Sequence, residues 1–381
     1  MHISLVIATV LAYFVMYAPQ PLLPMFSRNF SVTETDAALL MTATLLPLGI
    51  APLSYGYLLE SVSSLKLLRF SILVLSFLTM GFALVDSFPL LVGLRLGHGL
   101  LLPAIFTSIL SYISASAEGD RLQRIMSFFI ASGIVGGFGG RVLAGLSATY
   151  LSWQLFFLTL GTALLIGFFL LGGLDDRAPI RTTKPQLNII VQILKTGGRV
   201  RICLVALCLF FVFVGLLNFV PFRLIEIHPH ASESLTGFMY FGYLLGLVGA
   251  LAADRIVRFL RGQANTMIVG FIAYIVMLLT TLIPNVWFLF GALLIFIASM
   301  FLVHTVAITA ANQGITSGAG VVNGIYLAFY YSGGVLGSYF PGFAYQHLGW
   351  TSFVLMLLVV TVVGLIVTVS YKFSLAQGNL R

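Results

Sequence analysis

Charge-free runs of about twenty residues alternate with short polar or basic breaks along almost the whole chain. A bilayer core of about 30 Å takes roughly 20 apolar residues per helix, so each run is long enough to cross a membrane. Runs and turn signals predict six helical spans at about 3–26, 37–59, 67–85, 88–113, 125–148 and 153–174. Six more follow at about 202–225, 236–253, 263–283, 286–308, 319–343 and 351–371. Between the sixes, Asp175 to Arg201 turns polar and basic and contains Pro179 and Pro185, which reads as a linker. The expected organisation is a six-helix bundle over 1–174, a cytoplasmic linker over 175–200 and a second six-helix bundle over 201–381 with a short tail. A β-barrel would need period-two strands instead.

Composition agrees with this reading. Of 381 residues 60% are hydrophobic and 8% charged, whereas soluble domains carry roughly a quarter charged residues. The net charge of +8 raises the question of nucleic acid, and the placement of the 19 Lys and Arg answers it. They lie between the apolar runs and form no single patch, so no nucleic-acid partner is expected and the surroundings are a lipid bilayer. With the N-terminus inside, 15 of them fall in cytoplasmic segments: Lys66, Arg69, Arg121, Arg124, six in the linker, Arg255, Arg258, Arg261, Lys372 and Arg381. Outside loops hold only Arg28, and Arg95, Arg141 and Arg223 fall within spans. Basic residues stay cytoplasmic in short loops, so both termini are expected in the cytoplasm.

Cys203 and Cys208 are five apart in one apolar run, which argues against a disulfide or a zinc site. No Gly-x-x-x-x-Gly-Lys-Ser/Thr loop occurs, which argues against an ATP-driven pump within this chain. The first run, Ile3 to Ser27, is long enough to stay in the membrane rather than act as a cleaved signal. His2 in place of glycine excludes N-myristoylation.

An internal repeat supports the division into halves. Gly136, Gly137, Gly140, Gly145, Trp153 and Phe156 recur as Gly333, Gly334, Gly337, Gly342, Trp350 and Phe353, each pair 197 residues apart. Parallel repeats of this kind build many secondary transporters.

These residues resemble the major facilitator superfamily. The Gly56 to Glu60 stretch keeps the glycine and acid of its signature after helix 2, and Asp254-Arg255 with Arg258 and Arg261 keeps the charges of the equivalent turn after helix 8. Arg95-Leu96-Gly97-His98-Gly99 is similar to the superfamily's Arg-x-x-Gln-Gly element. The Tyr17–Pro24 run, Gly136–Arg141, Asn218–Leu224, His304–Ala307 and Tyr330-Tyr331 resemble the YnfM branch of bacterial inner-membrane exporters, related to the arabinose-efflux permeases. The resemblance implies an all-α membrane protein of twelve transmembrane helices in two six-helix bundles, in the bacterial inner membrane, working by alternating access. It implies no enzyme activity and no cofactor.

Candidate chemistry starts from the acids. None of the eleven lies in mid-span, which weakens a multidrug/proton antiporter reading, since superfamily exporters of cationic drugs commonly hold drug or proton on a buried carboxylate. Arg95, Arg141 and Arg223 lie in spans, where an arginine costs about 2.5–3.5 kcal/mol unless it faces water or a partner. Pointing away from lipid, they would make a positive cavity that favours anionic or zwitterionic solutes. The competing reading is that Arg95 and Arg223 snorkel or bond backbone carbonyls.

Tyr13, Tyr17 and Gln20 share one helix face, and Asn323, Tyr326 and Tyr330 share another. With Asn218 they complete the candidate substrate-binding set, against a reading as interhelical packing. His98, His304 and Asp36 are candidate proton carriers, because an unperturbed histidine titrates near pH 6.5, against a reading of the histidines as packed and neutral. Glu60, Asp254 and Arg255 are candidate gating groups, against simple helix caps. His228-Pro229-His230 near Glu226 and Glu233 reads as a solvated loop, so no metal is expected.

The expected function is proton-coupled export of a small organic solute by a monomer, its partners being the small-molecule substrate, protons and lipid. The alternatives are export of a carboxylate metabolite or siderophore, multidrug/proton antiport, and a non-transporting membrane receptor.

Overall fold

The computed structural model describes residues 3–61, 63–116, 119–174, 197–313 and 319–376, and every regular element among them is helical. The helices are α1 (Ile3–Tyr17), α2 (Leu23–Phe30), α3 (Glu34–Ala37), α4 (Leu39–Ser61), α5 (Ser64–Ala83), α6 (Phe88–Ser116), α7 (Gly119–Tyr150) and α8 (Trp153–Leu170). They continue with α9 (Gly197–Ile227), α10 (Glu233–Phe238), α11 (Gly242–Leu251), α12 (Ala253–Phe259), α13 (Gln263–Thr280), α14 (Val286–Ala311) and α15 (Ala319–Ala376). Each of the twelve apolar runs falls on helix. Among the described residues nine helical stretches are long and apolar enough to cross a membrane. The expected linker lies outside the described residues as far as 196.

Two local departures from the expected spans have clear causes. The first run is not one unbroken helix: α1 stops at Tyr17, and a 3₁₀ turn over Gln20–Leu22 leads into α2. Pro19 and Pro21 lack the N–H groups that would continue the ladder. The last two expected spans run together as α15 and are separated by a backbone break at Gly349, φ 79° and ψ −178°, a conformation that glycine adopts at little cost. The chain therefore turns between them in one residue rather than in a loop.

The described residues form two compact units. One holds 3–32, 39–174 and 231–238, and the other holds 33–38, 197–230 and 239–376. In the first, α7 packs on α1, α6 on α4 and α5, α8 on α5, and the short α10 on α7. In the second, α15 packs on α9, α13 on α14 and α15, α11 on α14, and the short α3 on α15.

The repeat recurs contact by contact. A Cβ on Gly136 would meet Tyr13 Cβ at 2.7 Å and Val10 O at 3.0 Å, and one on Gly333 would meet Leu207 O at 2.1 Å. Likewise Gly140 lies against Phe14 and Gly337 against Phe211. Val10 and Leu207, like Phe14 and Phe211, are again 197 apart. Glycine is required at these positions because the helix backbones approach too closely for any side chain, a common way of packing helices in lipid. The paired tryptophans both sit in aromatic clusters, with different partners. Trp153 meets Phe26 at 5.1 Å in the first unit, and Trp350 meets Phe353 at 4.9 Å in the second.

Candidate functional site

In the first unit the break in α1 sets up the polar chemistry. Pro19 cannot donate to Val15 O, which is thereby left without its helical partner. Arg95, from α6, supplies one: Nη1 donates to Val15 O at 2.7 Å, Nη2 to Met16 O at 2.8 Å and Nε to Leu40 O at 2.8 Å. Nη1 also lies 3.3 Å from His98 Nδ1. Arg95 and His98 are both fully buried. Arg95 thus ties the broken end of α1 to the start of α4, and its donors are engaged by backbone.

Arg141, on α7, is fully buried beside the same break but is bound differently. Its Nε and Nη2 converge on a single oxygen, Gln20 Oε1, at 2.8 and 2.6 Å, and Nη1 donates to Gly137 O at 2.5 Å. Its guanidinium carbon stands 4.1 Å from the centre of the Tyr17 ring, a cation–π distance. Tyr17 is nearly parallel to Tyr13 (6.3 Å, 11°), which stacks on Phe106 of α6 (4.5 Å, 28°). Tyr13, Tyr17, Gln20 and Arg141 are therefore brought together, and Phe106 joins them. Phe106 carried no sequence signal, being one more phenylalanine in an apolar run.

The second unit repeats the seam with different chemistry. At the position 197 residues after Arg141 stands Ser338, whose Oγ accepts from Asn218 Nδ2 at 2.7 Å, both side chains buried. Tyr330 stacks on Phe210 at 3.8 Å and 15°, and His304 of α14 lies 4.6 Å from Tyr330. Tyr326 Oη is 3.0 Å from His304 Nδ1. His304 is partly accessible, unlike His98. Asn323 stands apart from this group. Its Oδ1 accepts from Asn312 Nδ2 at 2.6 Å beside a cavity of about 580 Å³ lined by Gln263, Thr309, Asn312, Gln313 and Asn323.

The remaining candidates are peripheral. Arg223 Nη1 pairs with Glu226 Oε2 at 2.9 Å, Nη2 reaches Leu282 O at 3.3 Å, and the Trp350 ring lies 5.5 Å away. Its charge is thus matched locally by a carboxylate that Tyr345 also donates to. Asp36 lies in the first turn of α3, which Thr33 caps: Thr33 Oγ1 accepts from Asp36 N at 3.1 Å and donates to Asp36 Oδ2 at 2.8 Å. Asp254 and Arg255 are exposed, Asp254 in the first turn of α12. The Glu60 side chain lies outside the described residues. Cys203 and Cys208 are both free and buried. Among the described residues no group of three or more His, Cys, Asp or Glu is placed to hold a metal.

Nine helical stretches among the described residues that are long and apolar enough to cross a membrane, with two glycine-seamed repeats and buried polar clusters, mark the chain as a multi-pass helical membrane protein. Residues 5–338 match the family profile described as Major Facilitator Superfamily, and the chain belongs to that family. It is similar to a transporter of Buchnera aphidicola subsp. Schizaphis graminum, 24% identical over 366 residues, covering 94% of this chain and 88% of the relative. It is similar also to the inner membrane transport protein YnfM of Escherichia coli, 24% identical over 249 residues, 64% of this chain and 60% of that protein. Among solved structures, a bacterial homologue of the human lysosomal transporter Spinster, in an inward-facing and unoccupied conformation, superposes with a TM-score of 0.80 at 15% identity, covering 99% of this chain and 96% of that one. The chain is accordingly a transporter and not an enzyme.

Proposed function

We propose that this transporter exports a small organic anion or zwitterion in exchange for protons. It would be a monomer of twelve transmembrane helices in the bacterial inner membrane, with both termini cytoplasmic. The halves are then 1–174 and 201–381, joined by the cytoplasmic segment 175–200. The observation that carries the substrate charge is Arg141. Its Nε–Nη2 edge, the edge that grips a carboxylate with two parallel bonds, is presented to one neutral oxygen of Gln20. A solute carboxylate replacing that amide puts an anionic oxygen on each N–H. Arg95 and Arg223 have less to offer, one being spent on backbone carbonyls and the other on Glu226.

For the proton, His304 is the better placed of the two span histidines, being partly accessible and in contact with Tyr326 and Tyr330. Export of a carboxylate metabolite or a siderophore falls within this reading.

The test is competition binding to the purified protein with hexanoate, hexanamide and hexylammonium. Wild type should prefer hexanoate, and Arg141→Gln should lose that preference while remaining folded by thermal melt. Equal or better binding of hexylammonium by wild type, with the ranking unchanged in Arg141→Gln, refutes the anion reading.

A further inference from the structure

Glu233–Leu251 and Gln263–Thr280 are both long and apolar enough to cross a membrane, and the chain between them makes no plain polar loop. It forms the seven-residue helix α12, which therefore stands where apolar helices leave the bilayer. α12 touches α11, α13 and α14 and buries Ala253. Its outer side carries a different mixture.

Arg255, Arg258 and Arg261 follow at intervals of three, about one turn apart, and all three are exposed. None of their side chains makes a hydrogen bond or an ion pair among the described residues. Phe259, four positions after Arg255 and so on the same face, is 83% exposed, and Leu251 just before the helix is 78% exposed. Large apolar groups beside arginines are costly in water and act as anchors at a membrane surface. The three cations outnumber the one acid of the stretch, Asp254.

The end of α12 shows how Arg261 is held. Gly262 N donates to Val257 O at 2.9 Å and Arg261 N to Arg258 O at 3.2 Å, a Schellman motif. Arg261 occupies its left-handed position, φ 57°, where glycine is the usual residue. Among the described residues other than glycine only Ser31 shares a positive φ. The chain thus keeps an arginine in a costly backbone conformation with no protein partner to offset it. A partner outside the protein accounts for that choice.

We propose that α12 binds the headgroups of anionic phospholipids, with Arg255, Arg258 and Arg261 on the phosphates and Phe259 and Leu251 entering the acyl boundary. A guanidinium grips phosphate through parallel bonds, and basic residues beside a membrane helix are drawn to anionic lipid. Phosphatidylcholine offers the same phosphate with its charge balanced by choline, so net charge separates the two lipids. In the orientation proposed above the surface faces the cytoplasmic leaflet.

The experiment places full-length protein carrying Phe259→Trp in phosphatidylcholine nanodiscs with a minor fraction of brominated lipid. Quenching of the introduced indole is read after subtracting the signal of the unsubstituted protein. Brominated phosphatidylglycerol should be enriched at the indole about threefold to thirtyfold over brominated phosphatidylcholine. High salt should reduce the enrichment, and combining Arg255→Gln, Arg258→Gln and Arg261→Gln should abolish it. Arg261→Gly should lose about twofold to fivefold of it and melt no earlier than its parent, because glycine suits the left-handed position. Equal quenching by the two lipids overturns the charge recognition. No quenching by either means that α12 stands off the bilayer, open to an acidic protein segment, and overturns the proposal. Loss of the enrichment when inorganic phosphate is added at constant ionic strength assigns the arginines to free phosphate and overturns it as well. Enrichment unchanged in Arg261→Gly overturns the role given to the left-handed arginine.

Discussion

Replacing Gln20 with glutamate tests whether the Arg141 edge is where the solute binds. In wild type one amide oxygen accepts two hydrogen bonds, at 2.8 and 2.6 Å, from a buried guanidinium. Hydrogen bonds involving a charged group contribute about 1.5–3 kcal/mol net, and the Gln20–Arg141 bonds are already of that kind, so the gain from glutamate comes from the second charge and the second oxygen. Glutamate at 20 makes both partners ionic and offers one oxygen to each N–H, strengthening the clasp by about 1–2 kcal/mol after the cost of burying a second charge. An incoming carboxylate must displace this tethered one and also meets its charge. At about 1.4 kcal/mol per tenfold, Gln20→Glu should weaken hexanoate binding about fivefold to thirtyfold and leave the melting temperature unchanged or higher.

Gln20→Ala should act in the opposite sense. It frees the edge, so hexanoate binds as tightly as in wild type or tighter, while the unliganded protein melts earlier because a buried donor pair has lost its acceptor. The assays are isothermal titration and thermal unfolding in detergent on the same preparations. Wild-type hexanoate affinity in Gln20→Glu would show that the solute does not bind at this edge.

Three further outcomes follow from other parts of the molecule. Arg95→Leu leaves the carbonyls of Val15, Met16 and Leu40 without their buried donor and should destabilise the fold by on the order of 3 kcal/mol, read as a lower melting temperature even with solute present; an unchanged melt would mean that the bend in α1 does not need this tie. His304→Gln keeps polarity but cannot titrate near neutrality, so export measured in inside-out vesicles should lose its dependence on an imposed pH gradient; proton-driven flux that persists in this variant and in His98→Gln would move coupling to a terminal acid such as Asp36. Reporter fusions at Glu118, Thr183, Gly262 and Gln377 should read cytoplasmic and those at Ser31 and Ser232 periplasmic; reversal of one half would break the parallel-repeat arrangement.

What the sequence could and could not reveal divides along physical lines. The helical runs are legible because burial in lipid demands continuous apolar length, and the internal repeat is legible because glycine seams tolerate no substitution by a larger residue. The break near Pro19 was visible as a cluster of prolines. Its consequence was not, because the donor that satisfies Val15 O comes from Arg95, eighty positions away. Arg141 and Gln20 each stood out as polar residues in apolar runs, but a bond spanning 121 positions has no local signature. Tyr13 and Tyr17 were found by helical spacing, whereas Phe106 was hidden among 33 phenylalanines. For Arg223 the span position alone does not reveal that an acid three residues on, Glu226, pairs with it.

The repeat also gives an internal control on the meaning of Arg141. Both units close the same helix seam, α7 on α1 and α15 on α9, with glycines at equivalent positions and a buried polar clasp at the same level. In the second unit a serine hydroxyl and an asparagine amide suffice, and no charge is buried there. Packing of the seam therefore does not require a cation. A buried guanidinium carries a desolvation penalty of several kcal/mol that its neutral counterpart avoids, so the cost at 141 has to be offset by something other than holding two helices together. Gln20 offers one neutral oxygen to two of the guanidinium's donors. The charge at 141 is what the proposed anion-binding role asks for, and that proposal assigns the electrostatic part of recognition to the seam of α1 and α7.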